Sequence, residues 1–179
     1  MKLLVSACLL GFPCRYDGRA KPHEGVLSLL ETHTLIPFCP EIYGGLATPR
    51  PAAERQGDRV MTEAGLDVTE QYRRGAGEAL RLCRLYGCNA ALLKERSPSC
   101  GHGVIHNGRF DGGLLPGDAL GHHHLGGDAG KPLNFRGHCL PGSQLNQAVV
   151  LLGDGNFTVL LLQQDGRKLD DFIFLEIQP

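Results

Sequence analysis

The chain has no tryptophan, only 6% aromatic residues, and no C-x-x-C pair among its seven cysteines. The missing spacing excludes the usual zinc-ribbon and thioredoxin-like motifs. Charge of one sign is not in excess either: 18 Lys and Arg stand against 19 Asp and Glu, a formal net charge of −1. A protein that binds by blanketing a phosphate backbone needs a basic surplus, so that class is excluded while a local basic patch is not. No apolar run is long enough for a membrane-spanning helix, and 42% hydrophobic against 21% charged residues is not the composition of a disordered chain. Internal repeats and low-complexity tracts are also missing.

What is present fits one ordinary globular domain of 179 residues, large enough to bury roughly two thirds of the surface of its unfolded form. The first fourteen residues look like the start of a signal peptide, but they run into Cys14, Arg15, Tyr16 and Asp17 without a small-residue cleavage site. They read as a buried first strand, and the expected location is cytoplasmic. In that compartment thiols stay reduced and an odd number of cysteines leaves one unpaired, so metal, cluster or nucleophile are the readings to weigh.

Residues Lys2 to Ala7 form an apolar run closed by Gly11 to Pro13, as a strand buried on both faces reads. Val26, Leu29 and Leu30 recur at helical spacing between Glu24 and Thr32, and Thr34 to Phe38 is a second strand. Glu41 to Gln56, with Gly44, Gly45, Pro49 and Pro51, is expected to hold no regular element, and a loop of that length is usually functional. Asp67 and Glu70 have the spacing of a capping box, opening a helix that carries Tyr72, Ala76, Leu80, Cys83 and Leu85 and stops at Gly87. Ala90 to Lys94 is a third strand. Strands alternating with helices predict an α/β fold, a Rossmann-like parallel sheet with helices on both faces. No element is expected from Gly112 to Gly142. Val149 to Leu152, Thr158 to Leu162 and Phe172 to Ile177 read as further strands, the first two joined at Gly153-Asp154-Gly155.

Ligands of an open parallel sheet bind beyond the carboxyl ends of its strands. Cys8, Cys39 and Cys100 each follow one of the three predicted strands, so three thiols distant in sequence are expected to meet at one edge. Thiolates suit zinc or an iron–sulfur cluster, and three protein ligands leave one position open for chemistry. Cys83 and Cys88 read as core fillers, since an unpaired cysteine packs like a small apolar residue. Cys14 turns back toward Cys8 and is a possible participant, and Cys139 lies in a segment without a readable period.

Several motifs together carry a resemblance. Val5-Ser6-Ala7-Cys8-Leu9-Leu10-Gly11, Cys14-Arg15-Tyr16-Asp17-Gly18, Cys39-Pro40-Glu41 with Gly44-Gly45-Leu46, Thr48-Pro49-Arg50-Pro51, Asp67-Val68-Thr69, Lys94 through Gly101 and Leu115-Pro116-Gly117-Asp118 are similar to the bacterial 2-thiouracil desulfidase family. The likeness covers residues 1–118, a desulfidase-like α/β domain, and leaves 119–179 as an atypical C-terminal segment that is Gly- and His-rich and then β-rich. It implies a [4Fe-4S] cluster held by Cys8, Cys39 and Cys100, and non-redox removal of sulfur from a thiolated pyrimidine such as 2-thiouracil, releasing uracil and sulfide. Water attack at carbon needs a base and an orienting hydroxyl beside the metal. Glu41 and Ser97, each within three residues of a ligand, are the expected pair. Lys94, Arg96, Arg15 and Arg50 are expected to form a mildly positive rim, Asp17 to anchor a turn, and Tyr16 either to pack or to stack on the base.

The alternatives are the same chemistry on thiouridine in RNA, a hydrolase in which Cys100 is a nucleophile paired with His102 or His106, and a non-enzymatic zinc module closed by Cys14 or a histidine. The expected partner is a small thiopyrimidine, with the sulfide acceptor unassigned and no membrane. The His122-His123-His124 run reads as an accessory segment, because neighbours in sequence do not face one ion.

Overall fold

The computed structural model describes residues 2–88, 90–120, 145–151, 157–159, 161–163 and 175–177. Strand β1 (Lys2–Ser6) is the centre of a parallel trio with β2 (Thr34–Phe38) on one side and β5 (Ala90–Leu92) on the other. Between β2 and β5 the chain forms α2 (Pro40–Tyr43), the hairpin β3 (Ala53–Gln56) and β4 (Arg59–Thr62), and the long helix α3 (Thr69–Tyr86). Because strand side chains alternate between faces and both faces are covered, the middle residues of β1, Leu3, Leu4 and Val5, are all apolar and buried. Leu3 and Val5 pack on Val26 and Leu29 from α1 (Glu24–Leu27) and the 3-10 turn that continues it, Ser28–Glu31. Leu4 packs the other way, on Phe38 and on Cys83 of α3. Helices therefore cover both faces, as the alternation of elements predicts.

The helix expected over Glu24 to Thr32 is split, since its second half tightens into that 3-10 turn. Two segments read as irregular are not. Glu41 to Gln56 contains most of α2 and all of β3, and Leu114–Pro116 is strand β7, antiparallel to β6 (Val104–His106). Both are short, three or four residues, so no period had room to develop. The capping box does not form. Asp67 instead accepts the Thr69 backbone N–H at 2.9 Å, while Glu70 pairs with Arg73. Tyr72, Ala76 and Cys83 are buried, Cys83 as expected, while Leu85 is 69% exposed. Gly87 ends α3 in the left-handed region at φ 62°, the conformation glycine adopts without strain.

Beyond β5 the sheet continues with β8 (Leu145–Leu151), antiparallel to β5, and β10 (Leu161–Gln163), giving the order β10-β8-β5-β1-β2. β9 (Phe157–Val159) pairs with β11 (Leu175–Ile177). The sheet is thus mixed, parallel where the cysteines lie. Gly153-Asp154-Gly155, Cys139 and the three histidines fall outside the described residues. Among the described residues β2 is one edge of this sheet, and it carries Pro37 opposite Val5. No helix among the described residues is long and apolar enough to cross a membrane.

Candidate active site

Three loops leave the carboxyl ends of the parallel strands and line one cavity of about 380 Å³, within the usual range for small-molecule sites. Cys8 enters from the 3-10 turn Ala7–Leu10 directly after β1, Cys39 from the residue after β2, and Cys100 from the loop after β5. The strand order places β1 between the other two, so the chain reverses direction across the sheet at this crevice, where α/β sheets bind ligands. Cys14 lines the same cavity, together with Glu41, Arg50, Tyr72, Lys94, Ser97 and Ser99.

Two close approaches hold the Cys39 loop in place. α2 lies on α3 where both helices carry glycine: a Cβ at Gly75 would collide with the Pro40 carbonyl, and one at Gly44 with the Gln71 carbonyl. This seats Glu41 above Tyr72, over a small core of Val60, Val68, Tyr72 and Leu120. Ser6, at the end of β1, ties the third loop to the first. Its hydroxyl oxygen accepts the Lys94 backbone N–H at 2.9 Å, and its proton is directed at the Cys100 sulfur at 3.5 Å. Asp118 accepts the Gly103 N–H at 2.8 Å and lies 2.7 Å from His102 Nδ1, fixing the same loop from below.

Glu41 is gripped on both oxygens. Arg50 reaches Oε2 with Nη2 at 2.6 Å and Nε at 2.8 Å, and Ser99 donates to Oε1 at 2.8 Å. Tyr72 also donates to this carboxylate, and its burial drives its own ionisation well above the ordinary range. Arg50 further donates to the carbonyls of Ala47 (3.0 Å) and Cys14 (3.1 Å) and to the Thr48 hydroxyl (2.9 Å). One guanidinium thus fixes the Cys14 turn relative to the Cys39 loop. Ser97 lies 2.9 Å from Ser99.

The thiols differ in electrostatic setting. The Cys14 S–H beside them lowers both Cys8 and Cys39, against the opposing effect of burial; Cys39, with help from the Ile42 N–H and Arg50, falls to about 7. Cys14 itself is pushed far up by the same two neighbours. Burial pushes Cys100 up to about 12, only partly offset by the Ser6 hydroxyl. That is opposite to the activation a cysteine nucleophile requires, and it weighs against the Cys100–His102 reading. Among the described residues no group of three His, Cys, Asp or Glu side chains is arranged to hold a single ion.

The family described as 2-thiouracil desulfurase matches residues 3–125. The chain belongs to this family. Its relatives include the uncharacterized protein YbbK of Bacillus subtilis (strain 168), 38% identical over 128 residues, which are 66% of this chain and 85% of YbbK. Among solved structures, the [4Fe-4S]-dependent thiouracil desulfidase TudS is 52% identical with a TM-score of 0.65, over 69% of this chain and 83% of TudS. The fold expected from the order of elements is the fold of this neighbour.

The donor set fits a [4Fe-4S] group. Such clusters take thiolates, and here thiols from three separate loops line one cavity. The cysteines that the resemblance implies, Cys8, Cys39 and Cys100, line that cavity, and so do Glu41 and Ser97, the pair expected from their position beside the ligands. So do Arg15, Tyr16, Lys94 and Arg96. Arg15 is engaged by Asp17 at 3.0 Å, and Asp17 also accepts the Arg19 N–H, anchoring the turn as expected. Sequence reasoning missed Ser6, Ser99 and Tyr72. Ser99 stands beside Cys100 in a segment already singled out, and only its direction in space marks it.

Proposed function

We propose that this protein removes the sulfur of 2-thiouracil without net redox change, giving uracil and sulfide, on a [4Fe-4S] cluster held by Cys8, Cys39 and Cys100. The supporting observation is the convergence of three thiols from the ends of three parallel strands on the cavity that also holds the Glu41–Arg50 pair. When bound, such a cluster supplies a thiophilic Lewis acid at an iron without a protein ligand. The chain's own groups supply the rest. Arg50 and Tyr72 keep the Glu41 carboxylate aimed as the base for water, and Ser97 orients that water. Cys14 lines the same cavity and stands outside the proposed ligand set. Lys94 and Arg96 give the rim a positive edge for sulfide as it leaves.

The substrate is the free base, in keeping with a net charge of −1, and thiolated RNA is the second substrate to test. The sulfide acceptor lies outside the chain. The catalytic unit spans residues 1–118, with 119–179 as a C-terminal segment, and the protein acts in the cytoplasm.

Anaerobic reconstitution with iron and sulfide, followed by the visible spectrum and by sulfide release from 2-thiouracil, tests this reading. The expected protein is brown and active, and loses both properties in Cys8→Ala, Cys39→Ala and Cys100→Ala. A colourless folded protein, or a brown one active only on thiolated RNA, overturns the assignment of cofactor or of substrate respectively.

A further inference from the structure

The hydrogen bonds around Glu41 have a direction, and that direction reaches Ser97. A serine hydroxyl carries a single proton. Ser99 gives its proton to Glu41 Oε1 at 2.8 Å, because a carboxylate only accepts. The 2.9 Å contact between Ser99 and Ser97 then has one possible sense, with Ser97 donating. Ser97 Oγ also accepts the Ser99 backbone N–H at 3.2 Å. Its proton is committed to Ser99, and what remains for a molecule in the cavity is a lone pair. The site therefore offers attacking water an acceptor at Ser97, wired to a carboxylate two hydrogen bonds away.

We propose that Ser99 is a proton-relay hydroxyl between Ser97 and Glu41, a positioning residue that gives Ser97 the character of a base. The proposal rests on the desulfidase reading above. As the water oxygen bonds to the thiocarbonyl carbon, one water proton passes to Ser97 Oγ. The Ser97 proton passes to Ser99 Oγ, and the Ser99 proton to Glu41 Oε1. The carbon–sulfur π pair moves onto sulfur. One proton has gone from water to the carboxylate, both hydroxyls are intact with their sense reversed, and no oxidant or reductant enters. Arg50 and Tyr72 hold Glu41 from its other sides, so the carboxylate need not move to reach the water.

The test uses the reconstituted holoenzyme. Ser99→Ala is expected to lower kcat by about 10²-fold, the usual weight of one acid–base group, with KM and the visible spectrum of the cluster unchanged. Ser99→Thr keeps the hydroxyl and is expected to restore turnover. A readout independent of turnover is the Glu41 carboxylate stretch, isolated as the infrared difference between wild type and Glu41→Gln in metal-free protein: Ser99→Ala is expected to shift it and Ser99→Thr to leave it in place. Wild-type turnover in Ser99→Ala, with Glu41→Gln and Ser97→Ala impaired, overturns the relay and leaves the desulfidase reading standing. Wild-type turnover in all three overturns the relay together with the roles assigned to Glu41 and Ser97. A Ser99→Thr enzyme that has the cluster spectrum but not the activity also overturns the relay.

Discussion

Replacing Arg50 by methionine removes the charge while keeping much of the stem. In the folded protein it would leave the Glu41 carboxylate, whose side chain is 13% exposed, without the cation that contacts it at 2.6 and 2.8 Å. Breaking a buried ion pair by deleting one partner costs about 3–5 kcal/mol. Glu41 keeps the Ser99 and Tyr72 donors, which places the cost at the lower end, but the Cys14 and Ala47 carbonyls lose a donor as well. A net loss of about 3 kcal/mol, with a urea m-value of about 2 kcal/mol/M, lowers the unfolding midpoint by about 1.5 M. The control is Arg81→Met, whose 70% exposed side chain pairs with Glu78 on the surface of α3 and whose loss costs about 0–1 kcal/mol. The second control is a double-mutant cycle: Glu41→Gln in the Arg50→Met background removes the orphaned charge and should recover part of the loss. Equal midpoints for Arg50→Met and Arg81→Met, or no coupling in the cycle, would refute the claim that this pair organises the site.

Gly75→Ala drives a methyl into the Pro40 carbonyl and is expected to destabilise by about 1–3 kcal/mol and to reduce activity by shifting Glu41. Gly77→Ala, two residues along on an exposed face with open space around it, is expected to stabilise by about 0.5–1 kcal/mol. Thermal unfolding of the two variants reads both signs. Burial raises the Cys83 thiol from 9.0 to about 12, so from pH 9 upward the unfolded thiol ionises and the folded one does not. Stability from this group is complete below pH 9 and falls by about 1.4 kcal/mol per pH unit toward 12; Cys83→Ala should flatten the alkaline limb of a midpoint-against-pH plot, and an unchanged slope would count against the assigned burial effect. Ser6→Ala leaves the buried Lys94 N–H without its acceptor and is expected to cost about 1–3 kcal/mol in urea unfolding.

Much of the site was legible because its chemistry is carried by residue types at strand ends. Lys2 to Ala7 and Thr34 to Phe38 are short apolar runs next to cysteine, and buried parallel strands leave that mark. The covering helix α3 was legible through its stripe at Tyr72, Ala76 and Cys83. What could not be read were relations that depend on approach in three dimensions. The hairpin of β3 and β4 is too short and too polar to show a period. The seat of α2 on α3 depends on what Gly44 and Gly75 lack, which no pattern along the chain records. Leu85 stands two residues after the buried Cys83, about 200° round the helix, which turns that side chain to solvent. Ser99 shows the same limit: its neighbours in sequence mark the loop, and only the position of Glu41, 58 residues away, shows what its hydroxyl does.

Pro37 bears on how the molecule behaves among its own copies. An edge strand offers a row of unpaired amides to any extended chain that drifts alongside. At Pro37 the row is interrupted, since the ring nitrogen carries no proton, and the residue is tolerated there because that side faces solvent. A strand approaching β2 meets a gap one residue before Phe38 and two before Cys39. The edge nearest the thiols is thereby a poor template for growth, which keeps a reactive crevice away from strand-to-strand association between molecules.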